Sequence, residues 1–183
     1  YCGWVWFSGV HSMRVSIAHT WDGRPLNASE IASVEMGWEN EALSIRVEAP
    51  WSGDPAPRGP KGPFWKLWEH EVVELFLLGQ DEQYTEVELG PYGHHLVLRL
   101  QGVRSIVESK LPMEFKVTRR EGRWSGHARL AIEHLPHPLV AFNAYAIRGT
   151  GRERRYMAHS PVPGDAPDFH RLSLFAPWPE ALR

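Results

Sequence analysis

Residues 67–100 read LWEHEVVELFLLGQDEQYTEVELGPYGHHLVLRL and place carboxylates at alternating positions inside segments with the pattern of β-strands. Successive side chains of a strand point to opposite faces, which puts three polar residues on one face of the segment Gln83–Leu89: Tyr84, Glu86 and Glu88. Gly90–Gly93 supplies a turn, and His94–Leu100 continues as a second strand. The stretch therefore predicts a hairpin with an ionisable face.

The segment before this hairpin, Val72–Leu78, is apolar except for Glu74. A short apolar run of this kind is typical of a central strand that is covered on both sides. Glu74 is then predicted to be a buried carboxylate, which is costly unless it is paired or hydrogen-bonded.

Alternating patterns recur along the chain, whereas helical periodicity is hard to find. Further strands are predicted at Ala42–Ala49, Met113–Arg119, Trp124–Ile132 and Phe142–Arg148, and short turns at Ser29–Val34 and Pro177–Arg183. Many short strands separated by Pro and Gly indicate an all-β fold, an antiparallel β-sandwich or barrel with long Pro-rich loops.

Two irregular segments are rich in proline, Pro50–Trp65 and Ser160–Asp168. Proline cannot donate to a strand ladder, so both are predicted to be loops. Loops of this length in compact domains are often binding loops, and we expect both to flank one site.

Composition narrows the class of protein. The 183 residues, 43% of them hydrophobic, suffice for one core, so residues 13–183 are predicted to form a single domain. A net charge of −2 with mixed signs argues against nucleic acid as the main partner. A single cysteine favours a reducing compartment, and no run is long and apolar enough for a membrane span, so we expect a cytoplasmic protein. Tyr1–Ser12 is interpreted as an N-terminal extension or a remnant upstream of Met13.

Tryptophan and carboxylates together suggest one kind of ligand. Nine tryptophans are many for a chain of this length. Trp65 and Trp68 lie just before the strand predicted at Val72–Leu78, which contains Glu74. Sugars present flat C–H faces to indole rings, while their hydroxyl groups need charged or amide partners. The alternative is that Trp68 packs in the core and that the carboxylates form a solvated face balanced by arginines.

The histidines carry a weaker signal. His95 and His170 could join the carboxylates in acid–base or metal chemistry, but the adjacent His94 and His95 face opposite sides of a strand. No Gly-rich phosphate motif and no G-x-S-x-G or H-E-x-x-H motif occurs. An enzyme using Glu71, Glu86 or Glu88 with one of these histidines therefore stays an alternative.

Several unbroken motifs within His19–Phe175 resemble one small family. They are HTWDGRPL (19–26), LWEHEVVELFLL (67–78), EQYTEVELGPYGHHLVLRLQG (82–102), FNAYAIRG (142–149) and PDFHRL (167–172). By these motifs the chain is identified as a member of the uncharacterised UPF0462 family, that of human chromosome 4 open reading frame 33. The resemblance implies kinship without an activity.

A more distant resemblance concerns the pattern W-x-x-[DE]-x-V-E-x-F, formed here by Trp68, Glu71, Val73, Glu74 and Phe76. It is similar to family-nine carbohydrate-binding modules and DOMON sandwiches, which implies a jelly-roll or immunoglobulin-like β-sandwich. The resemblance further implies that Trp68 stacks on a sugar and that Glu74 accepts its hydroxyl protons. Where those modules carry a second late tryptophan, this chain offers Tyr156 or Phe169.

These arguments predict a non-catalytic domain that binds a small polar ligand, a sugar or glycoconjugate. The expected ligand-binding residues are Trp68, Glu71, Glu74, Tyr84, Glu86, Glu88, His95, Asn143, Arg148, Tyr156, Asp168 and His170. Trp68 would stack, Glu74 and Glu86 would accept, and Asn143 and Arg148 would donate. No cofactor is expected, although calcium or another divalent ion would suit the carboxylates. An enzyme and a structural or interaction domain are the alternatives.

Overall fold

The computed structural model describes residues 12–182, which form strands and one-turn 3-10 segments joined by loops. The strands are β1 (Ser12–Ile17), β2 (His19–Thr20), β3 (Ala32–Glu39), β4 (Ala42–Pro50), β5 (Gly62–Pro63), β6 (Val72–Leu78), β7 (Gln83–Leu89), β8 (His94–Gln101), β9 (Ile106–Ser109), β10 (Glu114–Arg120), β11 (Arg123–Ala131), β12 (Ala141–Arg148), β13 (Arg155–Ala158) and β14 (Ala176–Pro177). The 3-10 segments are Ala28–Glu30, Leu67–Glu69, Ile132–His134, Gly151–Glu153, Leu172–Leu174 and Glu180–Leu182. Of the predicted N-terminal extension, residues 1–11 lie outside the described residues, and Ser12 begins β1.

The strands pair into two sheets. The smaller sheet has the order β1-β3-β4-β11-β10, and the larger has the order β2-β13-β12-β6-β7-β8-β5, with β14 on β12 and β9 on β8. Strand β5 pairs in parallel with β8, and the other named pairs are antiparallel. The predicted all-β antiparallel sandwich is confirmed.

Apolar side chains form two clusters, one on each face of the larger sheet. The inner core lies between the sheets and contains Leu75 of β6, while the outer cluster lies on the opposite face and contains Phe76. Because neighbouring residues of β6 enter different clusters, both faces of this strand are buried. That is the arrangement predicted for Val72–Leu78.

The chain itself covers the outer face of the larger sheet. Leu67, Val162, Phe169 and Phe175 come from loops or 3-10 segments and pack into the outer cluster. An antiparallel sheet more often leaves one face to water. Here these loops and 3-10 segments shield the polar residues of β6 and β7 on this face from water.

Two of the predicted segments are corrected. Ala28–Glu30 forms the turn predicted at Ser29–Val34, but Val34 belongs to β3, where it faces the inner core. The predicted loop Pro50–Trp65 is irregular apart from Pro50, which ends β4, and β5. The amide of Phe64 donates to the carbonyl of His95 over 2.8 Å. Among the described residues, no helical segment has the length and apolarity needed to cross a membrane.

Candidate functional site

A cavity of about 640 Å³ opens on the outer face of the larger sheet. Strands β6, β7, β8 and β12 supply its base, which includes Glu74, Glu86, Leu98, Leu100 and Ile147. Loops and β13 supply its walls, which include Trp68, Arg104, Arg154, Tyr156, Phe169 and His170. A volume of this size is in the range of small-molecule sites.

Three carboxylates share this face of the sheet. Glu74 on β6 lies directly opposite Glu88 on β7, and Glu86 is two residues from Glu88 on the same strand. Glu74 is 2% exposed, Glu86 is 4% exposed and Glu88 is fully buried. Glu74 and Glu86 line the cavity, whereas Glu88 lies beside them beneath its surface.

Burial determines the protonation state of Glu74, Glu86 and Glu88, which we call the carboxylate cluster. Loss of water raises the pKa of Glu74 and of Glu88 well above the usual range, and repulsion between neighbouring carboxylates adds to the effect. Burial also raises the pKa of Glu86, to about 7. Repulsion from the neighbouring Glu86 carboxylate adds to the rise in the pKa of Glu88.

The two arginines of the cavity wall form their hydrogen bonds and ion pairs with groups other than the carboxylate cluster. Arg104 pairs with Asp168 over 2.8 Å. Arg154 donates to the carbonyl oxygens of Trp68 (2.6 Å) and Glu69 (3.1 Å), and also to the hydroxyl of Tyr156 (3.1 Å). Both arginines favour ionised carboxylates through their charge, but their hydrogen bonds hold the cavity wall together.

His170 and Tyr84 form a second polar pair at this face. The Tyr84 hydroxyl lies 2.7 Å from Nδ1 of His170 and accepts the amide of Arg104 at 3.0 Å. Burial lowers the pKa of His170 to about 4, so the ring is neutral near pH 7. A neutral ring whose Nδ1 accepts from Tyr84 carries its proton on Nε2. Burial also raises the pKa of Tyr84 to about 12.

Aromatic rings complete the walls. Trp68 meets Trp65 edge to face, with ring centroids 5.2 Å apart. Phe169 stacks on Tyr145 at 3.9 Å and meets Tyr156 edge to face at 6.2 Å. The cavity therefore offers apolar faces beside its carboxylates.

Asn143 and Arg148 do not lie where the sequence argument expected ligand donors. The amide of Asn143 donates to the Tyr145 hydroxyl and the Ser160 carbonyl, and its oxygen accepts from two backbone amides, so all its hydrogen-bonding capacity is used. Arg148 lies outside the cavity lining and contacts Glu30 at 3.5 Å. Both residues belong to β12, and their side chains bond other parts of the protein in this structure.

Glu71 and His95 are also outside the cavity lining. The Glu71 carboxylate accepts the backbone amides of Ser52 (2.8 Å) and Asp54 (3.4 Å), and burial raises its pKa. His95 points to the other face of β8, where its ring lies 5.9 Å from that of Phe115. The alternation that groups Glu86 with Glu88 therefore separates His95 from them.

The two Pro-rich loops differ in their relation to the cavity. Ser160–Asp168 contributes Pro167 to the lining, and Asp168 pairs with Arg104 at its edge. Pro50–Trp65 contributes no residue to the lining. Its Asp54 instead accepts the amide of Gly149 at 2.7 Å, which anchors the loop beside β12.

Sequence reasoning missed Arg104, Arg154 and the leucines of β8 as cavity residues. In the β7–β8 hairpin, Glu86 pairs with Leu98 and Glu88 pairs with Leu96. Because directly paired residues lie on the same face of a sheet, the register of the hairpin could have placed these leucines on the face of the carboxylates. Arg104 and Arg154 follow strands that are distant in sequence, and no local pattern connects them. Among residues 12–182, no group of three or more His, Cys, Asp or Glu residues is arranged to hold a metal ion.

Comparisons with known proteins place the chain in a family. No family model matches it. It is 42% identical over 175 residues to the UPF0462 protein C4orf33 homolog of Rattus norvegicus, covering 91% of this chain and 87% of that protein. It is 41% identical over 172 residues to the UPF0462 protein C4orf33 of Homo sapiens, covering 89% and 86%.

Among solved structures, the fold is similar to a crystal structure from Bacteroides uniformis described as a "putative carbohydrate-binding protein". The TM-score is 0.65 at 14% identity, over 80% of this chain and 76% of that one. This likeness concerns the β-sandwich fold, whereas the identities above establish descent. The chain belongs to the UPF0462 family.

Proposed function

We propose that this protein binds a small polar ligand, a sugar or glycoconjugate, in the cavity of the larger sheet and does not transform it. The observation that carries the proposal is the cavity itself, in which Trp68 and Tyr156 stand beside the buried carboxylates of Glu74 and Glu86. Apolar walls with a few polar groups are the usual composition of a small-molecule site. The description of the Bacteroides uniformis protein, which has the same fold, adds support.

In this proposal the hydroxyl acceptors are the predicted ones, whereas the donor differs from the predicted Asn143 and Arg148. Glu74, which the motif implied, and Glu86 accept hydroxyl protons. The Nε2–H of His170 donates, since Nδ1 is occupied by Tyr84. Trp68 presents its ring to the sugar. Its backbone is held by Arg154, so the platform is positioned before a ligand arrives.

The test is isothermal titration and thermal-shift measurement with a panel of mono- and disaccharides, because a ligand specific to the native state raises the melting temperature. We expect at least one saccharide to bind, and Trp68→Ala to weaken its affinity by about tenfold or more, which is about 1.4 kcal/mol. Trp51→Ala is the matched control, since the Trp51 ring meets Tyr92 and lies outside the cavity lining. Equal affinity of wild type and Trp68→Ala would refute the assignment of the site.

General acid–base catalysis is the second candidate function, and one observation favours it. The pKa of Glu86 is raised to about 7, close to the pH at which a proton donor or acceptor works best. Release of nitrophenol from aryl glycosides by the wild type, lost in Glu86→Gln, would support catalysis. Binding of a saccharide without turnover would favour the leading proposal. A cytoplasmic location remains a proposal, supported by the single cysteine.

A further inference from the structure

The base of the cavity holds more carboxyl groups than its surroundings could neutralise if all of them were ionised. Glu74, Glu86 and Glu88 are buried together on adjacent strands. Within residues 12–182, neither oxygen of Glu88 has a donor in full hydrogen-bond geometry, although the Trp68 backbone amide favours the ionised form of Glu88. Its contact with Glu86 joins two carboxyl groups, and it becomes a hydrogen bond only when one of them carries a proton. A buried ionised carboxylate requires a positive partner or a donor.

No salt bridge among the described residues involves the carboxylate cluster. The arginines that line the cavity bond other groups: Arg104 pairs with Asp168, and Arg154 donates to the backbone carbonyls of Trp68 and Glu69. Moving either arginine to the cluster would break those bonds. In the free protein, protons therefore neutralise the cluster.

A metal ion is not the partner that this geometry favours. Calcium takes six to eight oxygen ligands at about 2.3–2.6 Å, which requires carboxylates that converge on one point. In the described part of the chain, the three glutamates do not form such a group. A cation with directional N–H donors can bond carboxylates that are spread along two strands, because each N–H addresses a separate oxygen.

We propose that the cavity takes a saccharide bearing a protonated amine, whose ammonium group binds Glu74 and Glu86 at the base while Trp68 packs on the sugar ring. This inference rests on the carbohydrate-binding function proposed above and names its ligand class. The ammonium group supplies three N–H donors, and Glu74 and Glu86 both line the cavity floor that it would reach. Binding displaces a proton from the cluster, so the complex forms with proton release.

The test compares three sugars at about pH 7 by isothermal titration: D-glucosamine, its neutral derivative N-acetyl-D-glucosamine, and D-glucose. We expect D-glucosamine to bind at least about tenfold more tightly than either neutral sugar. Titrations in two buffers of different ionisation enthalpy should show that its binding releases protons and that glucose binding does not. In the double variant Glu74→Gln/Glu86→Gln, the preference for the amine should disappear. Glu114→Gln, which removes an exposed carboxylate of β10, should retain it.

The outcomes separate this inference from the function on which it rests. If the neutral sugars bind as tightly as D-glucosamine, the cationic ligand is refuted and saccharide binding stands. If no sugar binds but 1,4-diaminobutane does, with loss in the double variant, the carboxylate cluster is a cation site and the saccharide proposal fails. If neither these compounds nor any saccharide of the wider panel binds, both proposals are wrong. Circular dichroism and the melting temperature of the double variant show whether a loss of binding reflects unfolding.

Discussion

Glu86 connects the stability of the protein to pH. Its usual pKa is 4.5, and burial raises it to about 7 in the folded state. A carboxyl group with a raised pKa holds its proton more tightly when folded, so its stabilising effect is complete below about pH 4.5 and is lost as pH rises through about 7. A shift of this size corresponds to at most roughly 3 kcal/mol.

We therefore predict that Glu86→Gln reduces the loss of stability between about pH 5 and pH 8, by about 1–3 kcal/mol relative to wild type. The measurement is urea denaturation across this range, with Glu114→Gln as the control. His170 acts with the opposite sign, because its pKa is lowered to about 4, so its contribution is present above pH 6.5 and is lost as pH falls. The contribution of His170 is the same in wild type and in both variants, so it does not affect the comparison. Identical pH profiles of stability for wild type and Glu86→Gln would contradict the prediction.

Asn143 gives a prediction about stability rather than binding. It is fully buried and makes four hydrogen bonds, two of which join β12 to Ser160 and two of which lie within β12. Asn143→Ala leaves several buried polar groups without partners, so we expect a loss of about 3 kcal/mol. Urea denaturation measures it, with Gln80→Ala, which removes an exposed amide side chain, as the control. A loss below about 0.5 kcal/mol would show that water replaces the side chain.

At the scale of elements, the loop after β12 depends on Gly149. This residue has φ +80°, and a Cβ there would lie 2.3 Å from the Glu153 carbonyl oxygen. The loop it begins leads to Arg154, which holds the Trp68 segment. The conformation of this glycine therefore contributes to the shape of the cavity wall.

We predict that Gly149→Ala destabilises the protein by about 2 kcal/mol or more and weakens saccharide binding, because the backbone must move to relieve the contact. Gly122→Ala is the matched control: its φ is +74°, but nothing lies within 4 Å of an added Cβ. It should cost about 1 kcal/mol and leave binding unchanged. Thermal denaturation and titration measure the two effects. Equal results for the two variants would mean that the steric contact has no consequence.

The strands show where local sequence suffices. Val72–Leu78 and Gln83–Leu89 have the predicted bounds, because alternation and apolar runs report directly on burial. Edge strands such as β9 were missed. Its four residues are exposed, so no apolar pattern marks them, and it forms because β8 offers free backbone groups.

At the scale of the whole molecule, β6 joins the two apolar clusters. Leu75 is in the inner core and Phe76 in the outer cluster, and both are almost completely buried. If the clusters unfold together, Leu75→Ala and Phe76→Ala should each lower the free energy of unfolding by about 3–4 kcal/mol. Both should keep a single transition with an unchanged urea m-value. Two resolved transitions in either variant would show that the outer cluster unfolds separately.

The sequence by itself determined the β-sandwich, the central position of β6, and the grouping of Glu86 with Glu88, because the side-chain period of a strand fixes which residues share a face. It also suggested Glu74 as a buried carboxylate. Only the tertiary structure decided that Glu74 lies opposite Glu88, that Asn143 and Arg148 contact Ser160 and Glu30, and that Arg104, Arg154 and His170 reach the same cavity. These relations depend on strand order and on loops that cross the outer face of the sheet, and the local alternation of side chains carries no information about either.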